Sequence, residues 1–373
     1  MPPLRIDRVL TEAQFAEFVE LPLRLHPRDR YVPLLQPQLH DWWTGKHPQA
    51  RFGPVGFYLA RSADGRAVGR ICLHHNPNFD DKVEAETQLF GLCEFDDADA
   101  LQAMLTYAER EARAAARTQV LGPVALLPNQ TGGVITSGFE ERGFMDSPWN
   151  PERYPAAYES LGCDRVFEGA TWICEGFSGL DPDTTFRFDS TRLGEERLEV
   201  RRATRWRLGR DLESMRGVLN AAFAALPYYT PITAADLGAQ TEGLAFLLDE
   251  SLFLTLTAAG ETVAFVLVVP DVSEFVMARG GRLGVRDQLE LFATKREYRR
   301  DAILIIKGTR PDAQGRGYLT LLSRGLMRAL QRGGYERLRS TFVEDSNAGS
   351  AAQYERMGGR QLHRTTFYRR GIQ

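Results

Sequence analysis

Apolar residues along the chain form short alternating runs and longer runs with a helical period, in an order that occurs twice. Tyr58–Leu73 and Phe253–Val268 each alternate around a glycine-containing break, which predicts two hairpins. A second pair of similar stretches begins at Tyr158 and at Tyr354. The copies lie 195 residues apart in the first pair and 196 in the second. This nearly constant offset predicts two copies of one domain.

Each copy is predicted to contain the same elements in the same order. An opening strand and helical sequence precede the hairpin, and a strand, a long helix, a strand, a short helix and a last strand follow it. This order is typical of a mixed α/β architecture. The polar stretch 179–190 favours a boundary, so the predicted domains are residues 1–185 and 186–373. The copies differ in their insertions, at 127–150 and 273–300.

Composition and charge exclude several classes of protein. The chain has 373 residues, of which 43% are hydrophobic and 25% charged, as in ordinary globular proteins. A net charge of -3 provides no basic field for nucleic acid or an anionic membrane, and the longest apolar run, Val263–Val269, is far shorter than the ~18 residues of a membrane span. We therefore expect neither nucleic acid nor a membrane as a partner. The oligomeric state stays open.

The cysteines and the start of the chain bear on the cellular compartment. The four cysteines show no metal-ligand or CxxC spacing, and no histidine falls in a metal pattern, so we expect no metal site. We expect the cysteines to be reduced and to serve packing. The first residues contain no signal-peptide core, which favours a cytoplasmic protein. The cysteines are Cys72, Cys93, Cys163 and Cys174.

A glycine-bearing turn lies between the predicted strand 302–309 and an amphipathic helix. It contains Gln314, Gly315, Arg316 and Gly317. A helix start has unpaired N–H groups and a partial positive charge, and residues without side chains let an anion reach them. The turn therefore predicts a phosphate site, with a plain tight turn as the alternative. It matches neither a Walker loop nor the GxGxxG fingerprint.

Two motifs resemble those of the GCN5-related N-acetyltransferases, the GNAT enzymes. Residues 314–317 resemble the family's Gln/Arg-x-x-Gly-x-Gly/Ala loop, although Leu319 stands where Gly or Ala is usual. Residues 347–359 are similar to the family's Asn-x-x-Ala-x-x-Leu-Tyr-Glu-Lys-Leu-Gly-Phe, with Ser350 for Ala and Gln353 for Leu. The resemblance implies a mixed α+β sheet in two tandem GNAT-like domains.

The resemblance also implies how a cosubstrate is held. In this family the loop binds the pyrophosphate of acetyl-CoA or another acyl-CoA. The pantetheine arm enters between two splayed strands, and a backbone N–H holds the thioester carbonyl. Carried over by position, the implied binding residues are Lys307, Gly308, Thr309, Gln314, Gly315, Arg316, Gly317, Tyr318 and Asn347.

Two residues are candidates for proton transfer. Tyr354 matches the family's tyrosine that protonates the leaving thiolate; the alternative is a half-buried helix aromatic. Its counterpart Tyr158 is interpreted as a packing residue. Glu344 is the candidate general base, and Asp345 is the next choice. The alternatives are that these acids cap the following helix or that a water chain removes the proton.

The first half is predicted to have lost its coenzyme A site. Its equivalent helix starts with Asp96, Asp97 and Asp99, whose carboxylates suit a helix N-terminus but repel pyrophosphate. We expect this half to pack against the second, and its loop 127–150 is a candidate for shaping the acceptor pocket. Asn129, Trp149 and Asn150 are its candidates; ordinary loop packing is the alternative.

The expected function is that of an acyl-CoA-dependent N-acyltransferase. Its active site would lie in the C-terminal domain, and its acceptor would be an amine of a small molecule. One alternative is a GNAT-fold binding or scaffold protein without catalysis. Another is an acyltransferase that takes its acyl group from an acyl carrier protein.

Overall fold

The computed structural model describes residues 4–125, 132–241, 248–294, 297 and 300–372. The strands of the first half are β1 (Arg5–Arg8), β2 (Gly56–Arg61), β3 (Ala67–His74), β4 (Thr87–Phe95), β5 (Gln119–Gly122), β6 (Val134–Ser137) and β7 (Asp164–Glu175). Its helices are α1 (Glu12–Leu25), α2 (Gln36–Trp43), α3 (Pro77–Val83), α4 (Ala98–Ala114), α5 (Arg153–Ser160) and α6 (Pro182–Thr185).

The second half repeats this order. Its strands are β8 (Leu198–Arg202), β9 (Phe253–Ala258), β10 (Glu261–Pro270), β11 (Asp301–Thr309), β12 (Arg337–Glu344) and β13 (Gly359–Gly371). Its helices are α7 (Thr191–Glu195), α8 (Leu208–Phe223), α9 (Ala234–Thr241), α10 (Ser273–Ala278), α11 (Val285–Thr294), α12 (Tyr318–Gly333) and α13 (Ala348–Arg356). In the described ranges, each helix is too short or too polar to cross a membrane.

The strands join in one mixed sheet, which confirms the predicted fold class. The order across the sheet is β1-β2-β3-β4-β5-β13-β7-β12-β11-β10-β9-β8, and β6 pairs with β13 beside this path. The pairs β4–β5 and β11–β12 are parallel, and the hairpins β2–β3 and β9–β10 are antiparallel as the alternating sequence predicts. The long helices α4 and α12 each connect the strands of a parallel pair.

The two halves exchange their last strands. β7 ends the first half of the chain but pairs with β12 of the second. β13 ends the second half but pairs with β5 of the first. β7 and β13 also pair with each other over most of their length, from Gly359 opposite Cys174 to Arg369 opposite Asp164. Each half of the sheet is therefore completed by a strand from the other half.

The exchanged strands also bring core side chains with them. Trp172 and Cys174 of β7 belong to the apolar cluster under β9–β12 and α12. Tyr368 of β13 is fully buried in the cluster under β2–β5 and α4, where its ring stacks on Tyr158 with centroids 4.5 Å apart. The stacking confirms that Tyr158 serves packing. All four cysteines are free and buried, as expected.

A fragment beginning at Arg187 should be insoluble or much less stable than the full chain. Such a fragment lacks β5, β6 and β7, so β12 loses one paired neighbour and β13 loses all three of its own, and both present open edges that favour aggregation. The fragment also loses Trp172 from the core, and truncation of a buried tryptophan costs about 3–5 kcal/mol. Sedimentation and thermal unfolding of the purified fragment check this.

The matched control is a fragment that begins at Gly162 and retains β7. It should be more soluble and should melt at a higher temperature than the shorter one, because β12 keeps its partner. A monomeric fragment from Arg187 with the melting temperature of the full chain would contradict this account of the exchange.

Candidate active site

β11 and β12 run side by side for only part of their length. Their ladder starts at Asp301 opposite Arg337 and ends at Leu304 opposite Ser340. Beyond this point β11 stays paired with β10 up to Thr309, while β12 stays paired with β7 up to its last residue. A gap therefore opens between the two strands, as the resemblance implies for a site that takes an extended pantetheine arm.

The glycine loop leaves the start of α12 open. α12 begins at Tyr318 without a side-chain cap, and both Gly315 and Gly317 have a φ of +75°. A Cβ at Gly315 would meet nothing within 4 Å, and one at Gly317 would meet only the Phe188 ring at 3.8 Å. The first N–H groups of the helix thus adjoin an exposed loop in which two of four residues lack side chains, which fits a phosphate group.

Several side chains around the glycine loop are hydrogen-bonded within the protein. The buried Tyr318 hydroxyl donates to the Glu196 carboxylate at 2.5 Å, so only the backbone of Tyr318 is available to a ligand in the loop. Arg192 donates to the same carboxylate at 2.6 Å, and this bond, followed by that from Tyr318, lowers the pKa of Glu196. Gln314 donates to the carbonyl of Thr309 at 3.3 Å, which ties the loop to β11. Arg316 is exposed beside the open helix start.

The equivalent place in the first half is filled by a carboxylate. Asp97 accepts a hydrogen bond from the N–H of Ala100 at 2.9 Å and so caps α4. Asp96 forms an ion pair with Arg66 at 3.4 Å. The two long helices therefore differ at their starts in the way the sequence predicts, because one is capped by an acid and the other is not.

Tyr354 and Lys307 meet on one side of the gap. Tyr354 is buried on α13, with its ring 5.9 Å from the indole of Trp172. The Nζ of Lys307 lies 4.2 Å from the centroid of the Tyr354 ring and donates to Oε1 of Gln353 at 2.7 Å. Burial raises the pKa of Tyr354, and burial lowers the pKa of Lys307 to about 7.

Glu344 is less committed than its neighbours at the end of β12. Its Oε2 is buried and has no hydrogen-bond partner among the described residues. Asp345 is exposed and accepts two hydrogen bonds from Arg364, at 2.8 and 2.7 Å. Asn347 caps α13 by accepting from the N–H of Ser350 at 3.1 Å. The helix cap is thus supplied by Asn347 rather than by either acid.

A cavity of about 860 Å³ extends from the gap into the space between the two halves. Its polar lining includes Lys307, Glu344 and Tyr354. Its apolar lining comes from both halves and includes Leu34, Trp42, Phe79, Leu121, Val124 and Met145 from the first and Leu208, Leu212, Met215, Leu219, Leu237 and Phe342 from the second. Side chains from both faces of the sheet line this one space, because the gap connects the two faces.

The residues suggested for the first half's contribution to the acceptor pocket have other roles. Trp149 donates to the carbonyl of Glu141 at 3.0 Å, and Asn150 bonds to both backbone groups of Ile135. Neither side chain lines the cavity. Asn129 lies outside the described residues. The first half's part of the wall comes instead from apolar side chains of α2, α3 and β5 and of nearby loops, among them Met145 in the insertion 127–150. No sequence motif indicated the side chains of α2, α3 and β5.

One group of ligand-type side chains lies apart from the gap. His75, Asp80 and Glu86 place a nitrogen and two oxygens within 4.8 Å of one another. His75 and Asp80 hydrogen-bond to each other, and Asp80 also accepts from the N–H of Thr87 at 3.0 Å. These bonds to His75 and to the first residue of β4 account for the position of Asp80 on α3.

Two known proteins are similar to this chain in sequence. No family model matches the chain. It is 21% identical to Protein YghO of Escherichia coli over 97% of this chain and 94% of that protein. It is 25% identical to a bacterial ceramide synthase of Caulobacter vibrioides over 75% of this chain and 73% of that protein.

A solved structure shows the same architecture over the whole chain. A tandem GNAT protein from the clavulanic acid biosynthesis pathway superposes with a TM-score of 0.59 and 13% identity, over 99% of each chain. The predicted resemblance is confirmed at the level of the fold, since two GNAT-like units follow each other along the chain and share one sheet.

Proposed function

We propose that this chain, which has the GNAT fold in two tandem copies, is an acyl-CoA-dependent N-acyltransferase with its active site in the C-terminal half. The observation that carries the proposal is the cavity at the gap between β11 and β12. It brings a phenol, an amine and a carboxylate together with a large apolar space. A concave apolar pocket with a few convergent polar groups is the usual form of a small-molecule site.

The glycine loop and the open edge of β11 support an acyl-CoA donor. The open start of α12 would bind the pyrophosphate, and Arg316 would add positive charge. From there the pantetheine arm would run along β11 past Thr309 and Gly308, where the ladder to β12 is absent. A backbone N–H near Lys307 would hold the thioester carbonyl as charge develops on its oxygen.

Two side chains would act as general base and general acid in the transfer. Attack by an amine on the thioester requires removal of a proton from nitrogen, and Glu344, which lines the cavity, would accept it. The departing sulfur requires a proton, and the Tyr354 hydroxyl is the donor that the family resemblance implies. We assign no step to a metal.

The acceptor we propose is a small-molecule amine that carries a long alkyl chain. The cavity is lined by apolar side chains over most of its extent, and the first half supplies one wall. The name of the Caulobacter relative supports this choice, because a ceramide is the N-acyl derivative of a long-chain amine. The donor site would thus belong to the second half, and the acceptor chain would lie between the halves.

Primary amines of increasing length should become better acceptors. Burial of each further methylene contributes about 0.8 kcal/mol, so kcat/KM should rise roughly fourfold per carbon until the cavity is full. Thiol release from acetyl-CoA and a longer acyl-CoA, measured with amines of different chain length, checks this. A flat dependence on length would contradict the lipid acceptor, whereas no release with any amine would favour a scaffold protein. Release only from an acyl carrier protein donor would contradict the choice of coenzyme A.

A narrower cavity should remove the advantage of the longest amines. Leu212 on α8 lines the cavity and is half-buried, so Leu212→Trp should lower kcat/KM for long amines and leave short amines nearly unchanged. Leu10→Trp is the control, because Leu10 is 70% exposed and makes no part of the cavity. Equal losses for short and long amines in the Leu212 variant would contradict this use of the cavity.

A further inference from the structure

Lys307 is an unusual residue for its position. It follows the apolar run Ala302–Ile306 on β11, and its side chain is half-buried in the wall of the cavity. A lysine in such a place usually has a carboxylate partner. Among the described residues, the contacts of its Nζ are instead the amide oxygen of Gln353 at 2.7 Å and the face of the Tyr354 ring at 4.2 Å.

The groups around Lys307 carry no negative charge at neutral pH. β7 contributes the thiol of Cys174, whose pKa burial raises to about 12, and α13 contributes the phenol of Tyr354. α12 contributes Ser323, which donates to Oε1 of Gln353 at 3.3 Å. On β10 the residue opposite Lys307 is the apolar Val266. The ammonium of Lys307 therefore contacts the Gln353 amide and the Tyr354 ring, and the other groups around it are uncharged.

The same surroundings make Tyr354 a poor acid on its own. Burial disfavours the phenolate that remains when the hydroxyl gives up its proton, so the pKa of Tyr354 is raised. A positive charge about 4 Å from the ring stabilises that phenolate, because both groups lie in the wall of a largely apolar cavity, where charges interact more strongly than in bulk water. A hydrogen bond with the Ser340 side chain also favours the phenolate, and the ammonium of Lys307 adds to this effect.

We propose that the ammonium of Lys307 is a positioning residue for the transfer: it stabilises the Tyr354 phenolate and so allows the hydroxyl to protonate the departing sulfur. This inference rests on the proposed function. The C–N bond forms as the C–S bond breaks, and the amine proton passes to Glu344. The phenol proton passes to sulfur; afterwards Glu344 releases its proton to solvent, and the phenolate regains one from solvent. Lys307 keeps its own protons throughout and forms no bond.

The effect of Lys307→Met should depend on pH in a specific way. The pKa of Lys307 is depressed to about 7, so its charge is present below pH 7 and is lost as the pH rises. The ratio of wild-type to Lys307→Met kcat/KM should be about a hundredfold below pH 7, the usual scale of general acid catalysis. Above pH 7 the ratio should fall towards one, roughly tenfold per pH unit. The acceptor amine ionises equally in the assays of both proteins, so its ionisation does not affect the ratio of wild-type to variant kcat/KM.

The same substitution made in the Tyr354→Phe variant separates the proposed role of Lys307 from a purely structural one. In Tyr354→Phe there is no phenolate to stabilise, so Lys307→Met should add less than a threefold loss there. Coenzyme A affinity and melting temperature should stay unchanged in both single variants. A ratio that is constant with pH, or the same loss in both backgrounds, would overturn the proposal. So would an acyl group found on Lys307 by peptide mass spectrometry, because the residue would then be an acceptor.

A readout without turnover distinguishes this inference from the proposed function. The sequence contains four lysines, so protein with ¹³C-labelled lysine gives few side-chain signals, and Lys307→Met assigns the one of interest. Its titration midpoint should lie near 7. A midpoint near 10 would show a solvated ammonium, as in an exposed lysine, rather than one held against the Tyr354 ring, and would overturn the inference even if transfer is observed. A midpoint near 7 without transfer to any amine would leave the charge arrangement intact and contradict the proposed function alone.

Discussion

Gly317→Asp should abolish coenzyme A binding to the full-length protein. Gly317 is the last residue before α12, and its φ of +75° leaves the helix N–H groups facing an open loop. A carboxylate there would lie about 4 Å from a bound phosphate, and two like charges at that distance repel by about 4 kcal/mol at an effective dielectric constant of 20. The loss in affinity should therefore be about a thousandfold. Titration calorimetry with coenzyme A measures it.

Two further variants separate charge from backbone strain. Gly317→Asn adds a side chain of the same shape that tolerates positive φ and carries no charge, so it should bind more weakly than wild type but much better than Gly317→Asp. Gly334→Asp places the same charge at the other end of α12, where φ is +77° and no atom lies within 4 Å of an added Cβ. It should keep the affinity of the wild type. Undiminished binding by Gly317→Asp would contradict the assignment of the loop.

Tyr354→Phe should lower kcat by about a hundredfold or more and leave coenzyme A affinity nearly unchanged. The substitution keeps the buried ring and removes only the hydroxyl, which would act in the transition state rather than in the ground state. Steady-state kinetics with the best amine acceptor, together with calorimetry, gives both quantities. The melting temperature has to match that of the wild type before the rate is interpreted.

Tyr158→Phe is the matched control for this substitution. Tyr158 occupies the equivalent position in the first half and is fully buried against Tyr368. Its hydroxyl lies far along the sheet from the gap, so kcat should stay within a few-fold of wild type. Near-normal kcat in Tyr354→Phe, or an equal loss in both variants, would contradict the role of Tyr354 as the acid.

Local sequence pattern predicted the elements that make the site but not how they assemble. The alternation around Gly65 and Gly260 predicted both hairpins, and the uncapped glycine turn at 314–317 predicted the open start of α12. The strand exchange could not be predicted, because β7 and β13 come from similar stretches and either could complete either half. Their pairing is decided by side chains distant in sequence, such as Trp172 in the core of the second half.

The side chains that line the candidate site were predicted in part. Tyr354 and Glu344 do line one cavity with Lys307, as the motifs suggested for a shared site. The ammonium of Lys307 beside the Tyr354 ring was missed, although a single lysine after five apolar strand residues was a visible signal. The apolar wall from the first half was missed for a physical reason. Residues such as Phe79 and Leu121 have the sequence pattern of ordinary core, and only the packing of the halves shows that they face a cavity.

Transfer of a labelled acyl group to a long-chain amine tests the central claim most directly. The full-length protein, incubated with ¹³C-acetyl-CoA and a saturated C12 amine, is followed by mass spectrometry of the lipid extract, and free thiol is counted in the same sample. We predict one N-acetyl amine per thiol released, with Gly334→Asp active and Gly317→Asp inactive. Thiol release without the labelled amide, or equal product from Gly317→Asp and wild type, would contradict acyl transfer at the C-terminal site.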